Sequence, residues 1–536
     1  MLNKYYAESK IELINKIIMF ISLFMLGIIP IIMYKHISIS YSPVFLNNSY
    51  ATGEKLDIFN FYKTMTLYLG TGAIFTLFMY KVVALKEEIK VNKLNIIVLI
   101  LAVGIMLSSL LSEYKDIALF GNFDRYEGSL AWFCYLTIFF ALYNMDIEEK
   151  YYKFFYFILF PFLIINTILS VVKVFGFDVL QLKFVQAMIG ANGAAGGEFF
   201  TTLYHFNFGS AAGAVIFSVS FMYLLLEEDK KRKILLLVGT VLSFTMTISL
   251  ISSGGFITML LITPIILVLG FRFTDDKKSV FKWTCIMIDI NAVISIILMK
   301  INSKVYEESF AILVKMHKIS PIIIPLVIFI FGSLLIFMKF INEKKFFNTV
   351  SIVTVVFLSI SIFLYSHNLN KENKLIEENS QTSIVRMRDK EIFKKINEMS
   401  TDRLNIWTKT IDLINDKPIV GHGFDTFPYV FLSTDKDGGI STYGEVIDKP
   451  HNWYISMAYG SGLIGLIGLI GVIFYLIRGF YYNCIDKEND KYLYVFAIGM
   501  IAYVIQGLFN DSFVGTSILF WTFSGLCANK IIRKID

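Results

Sequence analysis

Arg403 and His451 bracket the most polar, aromatic-studded stretch of an otherwise oily chain. A guanidinium is a planar fork that grips phosphate or carboxylate oxygens through paired hydrogen bonds and stays charged at any ordinary pH. Arg403 falls in the first turn of a helical periodicity, where a cation gains nothing from the helix dipole. Two readings follow: it holds an anion, or it meets lipid headgroups at a membrane surface. His451 sits between Pro450 and Asn452 where a long apolar run begins. Its imidazole can accept a proton from a hydroxyl nucleophile near neutral pH; the plainer reading is a helix-start cap.

Other residues could contribute. Arg125 lies in the segment Phe120-Gly121-Asn122-Phe123-Asp124-Arg125-Tyr126-Glu127-Gly128 and either pairs with Asp124 or Glu127 or faces a ligand. His205 and Asn207 close a second polar segment, as interface residues or as cleft lining. Asp289 stands inside an apolar run, where an ionisable group is a functional candidate. Gly421-His422-Gly423 suits a tight turn, and the glycines at 460, 462, 465, 468 and 471 suit close helix approach. Asp435-Lys436-Asp437-Gly438-Gly439 reads as a solvated turn rather than a cation site. Cys134, Cys285, Cys484 and Cys527 have no metal-ligand spacing, so neither a disulfide nor a zinc site is expected of them, and no cofactor is expected.

These residues need a membrane scaffold. The 536-residue chain is 56% hydrophobic and 17% charged, with a mean hydropathy of +0.63, far from soluble composition. Its net charge of +6 fits cytoplasmic Lys/Arg loops better than a nucleic-acid partner. Apolar runs begin near residues 11, 61, 95, 130, 154, 208, 234, 256, 283, 322, 349, 452, 492 and 516. The expected fold is therefore an all-α, polytopic transmembrane helical bundle of about 12 to 14 spans. The first run reads as a retained helix rather than a cleaved leader. Lysine-rich loops around 86–93, 150–153, 230–233, 277–282, 344–345 and the 530–534 tail belong in the cytoplasm, so both termini face inward. Lys304, Lys315 and Lys318 fall on the outer side of this scheme and run against it.

That topology leaves three outward loops, at 113–128, 175–207 and 367–451. The chain divides into a transmembrane region over 1–366, a large extracytoplasmic loop over 367–451 and C-terminal transmembrane helices over 452–536. Residues 368–381 read as mobile. Two amphipathic helices follow on the outer membrane face, the first over 383–399 and the second over 401–415 with Leu404, Trp407, Ile411 and Ile414 on its apolar stripe. Thr401 or Asp402 would cap the second, and Pro418 lies past its end.

Arg403-x-x-x-Trp407, then Pro418-Ile419-Val420-Gly421-x-Gly423-x-x-x-Phe427, then His451-Asn452-x-Tyr454 and Gly460-x-Gly462-x-x-Gly465 form an ordered set. With it the chain resembles the O-antigen ligase and polymerase family of bacterial membrane proteins, over a family-like core of about 203–471. The resemblance implies a metal-independent, inverting glycosyltransferase at the outer face of the cytoplasmic membrane. Its donor would be a glycan on undecaprenyl diphosphate and its acceptor a hydroxyl of a glycan, lipid or protein. It also implies His451 as the base, Arg403 and then Arg125 as cations for the departing diphosphate, and Asn452 as a group orienting the imidazole. Family ligases carry a further arginine in a middle outward loop, and 175–207 has none. A repeat-unit polymerase of the same family is the nearest alternative. A lipid-linked glycan transporter or flippase, with binding groups near the membrane midplane, is the alternative of another class.

Overall fold

The computed structural model describes residues 2–42, 50–191, 201–302, 403–434, 447–485 and 490–532. Calls on 303–402 and 435–446 lie outside them: the runs near 322 and 349, the first amphipathic helix, the mobile segment, three discordant lysines and the Asp435 turn. The helices, in order, are α1 (Leu2–Ile28), α2 (Phe61–Val83), α3 (Lys93–Leu110), α4 (Lys115–Phe120), α5 (Ser129–Asn144), α6 (Glu149–Tyr152), α7 (Phe154–Phe157), α8 (Phe160–Val174), α9 (Lys183–Met188), α10 (Phe206–Leu226), α11 (Lys230–Ser249), α12 (Ser253–Phe273), α13 (Lys277–Ile301), α14 (Arg403–Asp416), α15 (Phe427–Thr434), α16 (Trp453–Ile485), α17 (Lys491–Gln506) and α18 (Val514–Ile532). Nine stretches among the described residues are long and apolar enough to cross a bilayer, and α5 and α17 are shorter apolar helices. The molecule is an all-α polytopic membrane protein. A hairpin of β1 (His36–Ser40) and β2 (Gly53–Asp57), antiparallel with His36 opposite Asp57, was not anticipated.

α10 is the axis of the bundle, buried along its whole apolar window. It can be enclosed because it is built from small residues. A Cβ on Gly213 would sit 2.4 Å from the Thr247 hydroxyl of α11, and one on Gly255 of α12 would sit 2.1 Å from Ser210 of α10. In lipid, where apolar transfer gives helices no reason to associate, such close approach is the main packing device. The expected run near Phe154 is divided instead into α6, α7 and α8, with Pro161 placed in the first turn of α8, where its missing N–H costs no helical bond.

The polar loops collect at one end of the bundle. Lys63, wholly buried, donates from Nζ to the carbonyls of Ile32 (2.6 Å), Phe59 (2.6 Å) and Thr202 (2.8 Å), tying three loops together through orphan carbonyls. At the opposite end, Glu227 meets Lys491 at 3.3 Å and Arg232 at 3.5 Å, and Lys530 meets Asp490 at 2.9 Å. Among the described residues, the lysine-rich 230–233 loop and Lys530 of the sequence reading therefore lie at the far end from Arg403 and His451.

α16 splits the glycines of its first half between two jobs. Gly465 and Gly468 meet α3 as expected: a Cβ on Gly104 would lie 2.5 Å from the Gly465 nitrogen, and one on Gly468 would lie 2.6 Å from Leu101. Gly460 and Gly462 do not serve helix packing. Gly462 breaks the helix at φ 62°, ψ −167°, a conformation open essentially to glycine alone. The break exposes backbone groups that pair with the preceding loop. Gly423 N donates to Gly460 O (3.0 Å), His422 N to Tyr459 O (2.9 Å) and Leu463 N to Pro418 O (2.8 Å).

This break predicts a large effect from one methyl group. Gly462→Ala would place a Cβ 2.3 Å from Ile419 O in a conformation costing about 1–3 kcal/mol by itself. The thermal midpoint in detergent should fall well below that of Gly72→Ala, where a Cβ meets nothing within 4 Å. Equal midpoints for the two variants would contradict the ladder.

Candidate functional site

α14 carries Arg403 and Trp407 one helical turn apart, hence on the same side. Its buried face is Ile406, Thr410 and Leu413, packed with Phe427, Val430, Phe431 and Tyr459. The expected stripe was rotated from this one, and Ile411 is exposed. The reason is that α14 docks on α15 and the broken start of α16, so protein, rather than lipid alone, selects its inward face. Trp407 Nε1 donates to Pro450 O at 2.8 Å. The indole thereby holds the first turn of α14 against the residue preceding His451.

His451 itself occupies the left-handed region, φ 56°, at a cost of about 1–3 kcal/mol for a non-glycine residue. Its neighbours hold it there. His451 N donates to Asp511 Oδ2 at 2.9 Å. Asn452 then caps α16, its Oδ1 accepting from Tyr454 N (3.0 Å) and Ile455 N (3.1 Å) and its Nδ2 donating to Leu508 O (3.1 Å). These bonds of the amide go to backbone, and none goes to the His451 ring.

Asp511, between α17 and α18, is the residue that sequence reasoning missed. Its side chain is 1% exposed, accepts from the Ser456 hydroxyl and lies 3.8 Å from His451 Nδ1. Asn510-Asp511-Ser512, a polar triplet splitting two apolar runs, was its signal in the sequence. Burial lowers the His451 pKa from its ordinary value; Asp511 and Asp448 raise it, while Arg403 and Arg125 lower it further. The net direction is downward, so at neutral pH the ring is a neutral acceptor, and it remains about one-third exposed. Arg403 is half-buried, with burial lowering and Asp511 raising its pKa. No shift of that kind discharges a guanidinium at ordinary pH.

Arg125 pairs with neither of its expected partners. Its Nε donates to Asp448 Oδ2 at 3.1 Å and its Nη2 also contacts that oxygen. The guanidinium lies over the Phe208 ring at 5.4 Å, and Phe208 stacks on Phe513 at 4.4 Å. Asp448 is held at about 2: burial raises it, but Arg125, His451 and Lys449 outweigh that. Glu127 is turned away, accepting from Tyr135 (2.9 Å), Ser517 (3.0 Å) and Ser512 (2.9 Å). Asp124 accepts from the Tyr50 hydroxyl at 3.0 Å and is raised to about 6, by burial first and by Asp448 and Asp425 after the opposing Arg125.

His205 and Asn207 sit at the head of α10. His205 Nδ1 accepts from Asn207 N at 3.3 Å, capping the helix, and Asn207 Oδ1 accepts from the Ser252 hydroxyl at 2.7 Å. His205 is lowered to about 4, by burial and then by His451. The same charges, Arg403, Arg125 and Asp448, perturb both histidines, so His205, Arg403, Arg125 and His451 gather in one electrostatic neighbourhood. Asp289 does not join it; one of its carboxylate oxygens is buried without a partner in α13. His422 is structural, its Nε2 2.8 Å from Leu413 O and its ring stacked on Tyr459. All four cysteines are free.

Beside His451, Asp448, Pro450, Asp511 and Ser512 open onto a cavity of about 530 Å³ counted with its mouth, whose far wall is Trp132, Phe424 and Phe427. Among the described residues no group of acidic, His or Cys side chains has the form of a metal site.

No curated protein matches the chain. A family model described as O-antigen ligase matches residues 323–470, a stretch that contains both Arg403 and His451 together with the α14, α15 and broken α16 segments that bring them into one neighbourhood. Over this stretch the chain is similar to the O-antigen ligase family.

Proposed function

We propose that the chain moves a glycan from undecaprenyl diphosphate to an acceptor hydroxyl at the outer face of the cytoplasmic membrane, within the ligase and polymerase type of membrane glycosyltransferase that this similarity supports. The observation carrying this reading is a neutral, partly exposed imidazole beside a half-buried guanidinium, at the end of the bundle opposite the lysine-rich 230–233 loop and Lys530. By the positive-inside rule that end faces outward.

In this mechanism the acceptor hydroxyl gives its proton to His451 as its oxygen attacks the anomeric carbon. The new C–O bond forms while the bond from that carbon to the diphosphate oxygen breaks, and the diphosphate leaves with the electron pair. Attack opposite the leaving group inverts the anomeric configuration. Arg403 neutralises the charge accumulating on the diphosphate. Asp511 holds the His451 backbone and stabilises the imidazolium once it forms. A pure transporter is disfavoured by the position of these groups, clustered at one end of the bundle rather than at its midplane.

His451→Ala should lower transfer by roughly 10²- to 10⁴-fold, the usual worth of a positioned general base, with normal membrane insertion. Transfer is read as release of undecaprenyl diphosphate from a purified glycan-lipid donor; full-rate release by the variant excludes His451 as the base. Arg403→Lys keeps the charge and loses the fork, and should slow transfer roughly ten- to a hundredfold.

The pH profile carries a sign. The base works when neutral, so kcat/KM should hold at neutral pH and fall as pH drops through a value below about 6.5. Asp511 raises the His451 pKa and Arg403 lowers it. Asp511→Asn should therefore move the acid limb to lower pH and Arg403→Ala to higher pH. Displacements in the same direction would contradict the proposed base.

A further inference from the structure

The cavity beside His451 contains a mismatch between donors and acceptors. Trp132 Nε1, Trp453 Nε1 and Arg125 Nη1 are buried with no hydrogen-bond partner, and all three side chains line this one cavity. They are 2%, 1% and 7% exposed. A buried donor left unpaired costs about 1–3 kcal/mol, and three around one space define a place where acceptor oxygens are wanted.

Charge decides which oxygens. The cavity wall carries five carboxylates, Asp124, Glu127, Asp425, Asp448 and Asp511, against two cations, Arg125 and Lys449. Both cations are already engaged: Arg125 by Asp448, and Lys449 by Asp425 at 3.7 Å and Glu127 at 3.9 Å. A diphosphate entering here would meet an excess of like charge and could donate no proton to the carboxylates. A sugar suits both needs, since each hydroxyl accepts from one group and donates to another. Trp132, Phe424, Phe427 and Trp453 offer flat apolar faces for its C–H surfaces. Arg403 is not part of this wall; it approaches His451 from α14, through the Trp407–Pro450 contact.

We infer that the cavity is the acceptor-sugar subsite, and that the diphosphate stays on the Arg403 side of the imidazole. This rests on the transferase reading above and divides its two substrates between two faces of His451. Arg125, neutralised by Asp448, becomes a sugar-hydroxyl donor rather than a second phosphate cation. The hydroxyl to be activated would emerge from the cavity mouth beside Asp448 and Asp511, next to the base.

Binding to the full-length protein in detergent tests this, with intrinsic tryptophan fluorescence as readout. The probes are inorganic pyrophosphate and a phosphate-free neutral oligosaccharide released from the native cell's own surface polysaccharide. Arg125→Lys and Asp448→Asn should each weaken the oligosaccharide at least tenfold and leave pyrophosphate unchanged. Arg403→Ala should do the reverse. Thermal midpoints within a few degrees of the parent establish that the variants fold. Oligosaccharide binding indifferent to Arg125 and Asp448, or absent, overturns the sugar assignment, as does pyrophosphate binding that needs Arg125. The transferase reading fails separately, if the parent protein releases no undecaprenyl diphosphate from a glycan-lipid donor, and a sugar-binding cavity would survive that result.

Discussion

A carbonyl–amide ladder between residues 418–423 and the interrupted start of α16 is the constraint on which the outer end depends. A continuous α16 would satisfy its own backbone and offer that loop nothing. Because Gly462 abandons helical geometry, groups on both sides of the break become available, and the chain leaving α14 fills them. In a bilayer protein a free backbone group costs several kcal/mol, so break and loop require each other. The same contact fixes α14 against α16 through Ile406, Leu413 and Tyr459, and so brings Arg403 toward His451.

The second layer of organisation is electrostatic. Asp448, Asp511, Asp425 and Glu127 are buried or nearly so at this end, yet each has protein partners: Arg125 for Asp448, Ser456 and a backbone N–H for Asp511, the amides of Asn122 and Glu127 for Asp425, and three hydroxyls for Glu127. Buried charges persist only when paired or bonded in this way. Such a network is a poor source of net stability, because desolvation offsets most of the attraction. What it supplies is geometry: it joins the 121–128 turn, the 447–452 segment and the 510–513 segment, which come from three distant parts of the chain.

Much of the architecture was legible because membrane spans announce themselves by length and hydropathy, and because Arg403, Trp407 and His451 stand out against an apolar background. What could not be read has identifiable causes. Asp511 and Asp448 are ordinary acidic residues in short loops, and only folding brings them to the imidazole and the guanidinium; periodicity holds no trace of such pairings. The inward face of α14 was misjudged at Ile411 because tertiary packing, rather than lipid, selects it. Glycines 460–471 looked like one motif, yet they split at 462, since spacing does not distinguish a helix contact from a helix break. The β1–β2 hairpin was hidden between two strong helical signals. The cap of α16 was expected one residue early, at His451, whereas Asn452 supplies it, because an amide oxygen reaches the first free N–H groups of a helix better than an imidazole does.

A histidine at positive φ beside a buried carboxylate is expensive in several ways at once, and those costs have a common outcome. Left-handed geometry turns the chain sharply just before α16 begins, while burial keeps the imidazole neutral. Asp511 spends one oxygen on the His451 backbone, which leaves the ring nitrogen 3.8 Å away, beyond hydrogen-bond range. The carboxylate thus fixes the His451 backbone without bonding its ring nitrogen. Once the ring takes a proton, attraction to Asp511 and Asp448 rises, and a sub-ångström closure would convert proximity into a charge-assisted bond. Burial still leaves the imidazole the favoured form, but Asp511 and Asp448 offset part of that cost for the imidazolium, and in the proposed attack this help is felt as the proton arrives, in the transition state rather than the ground state.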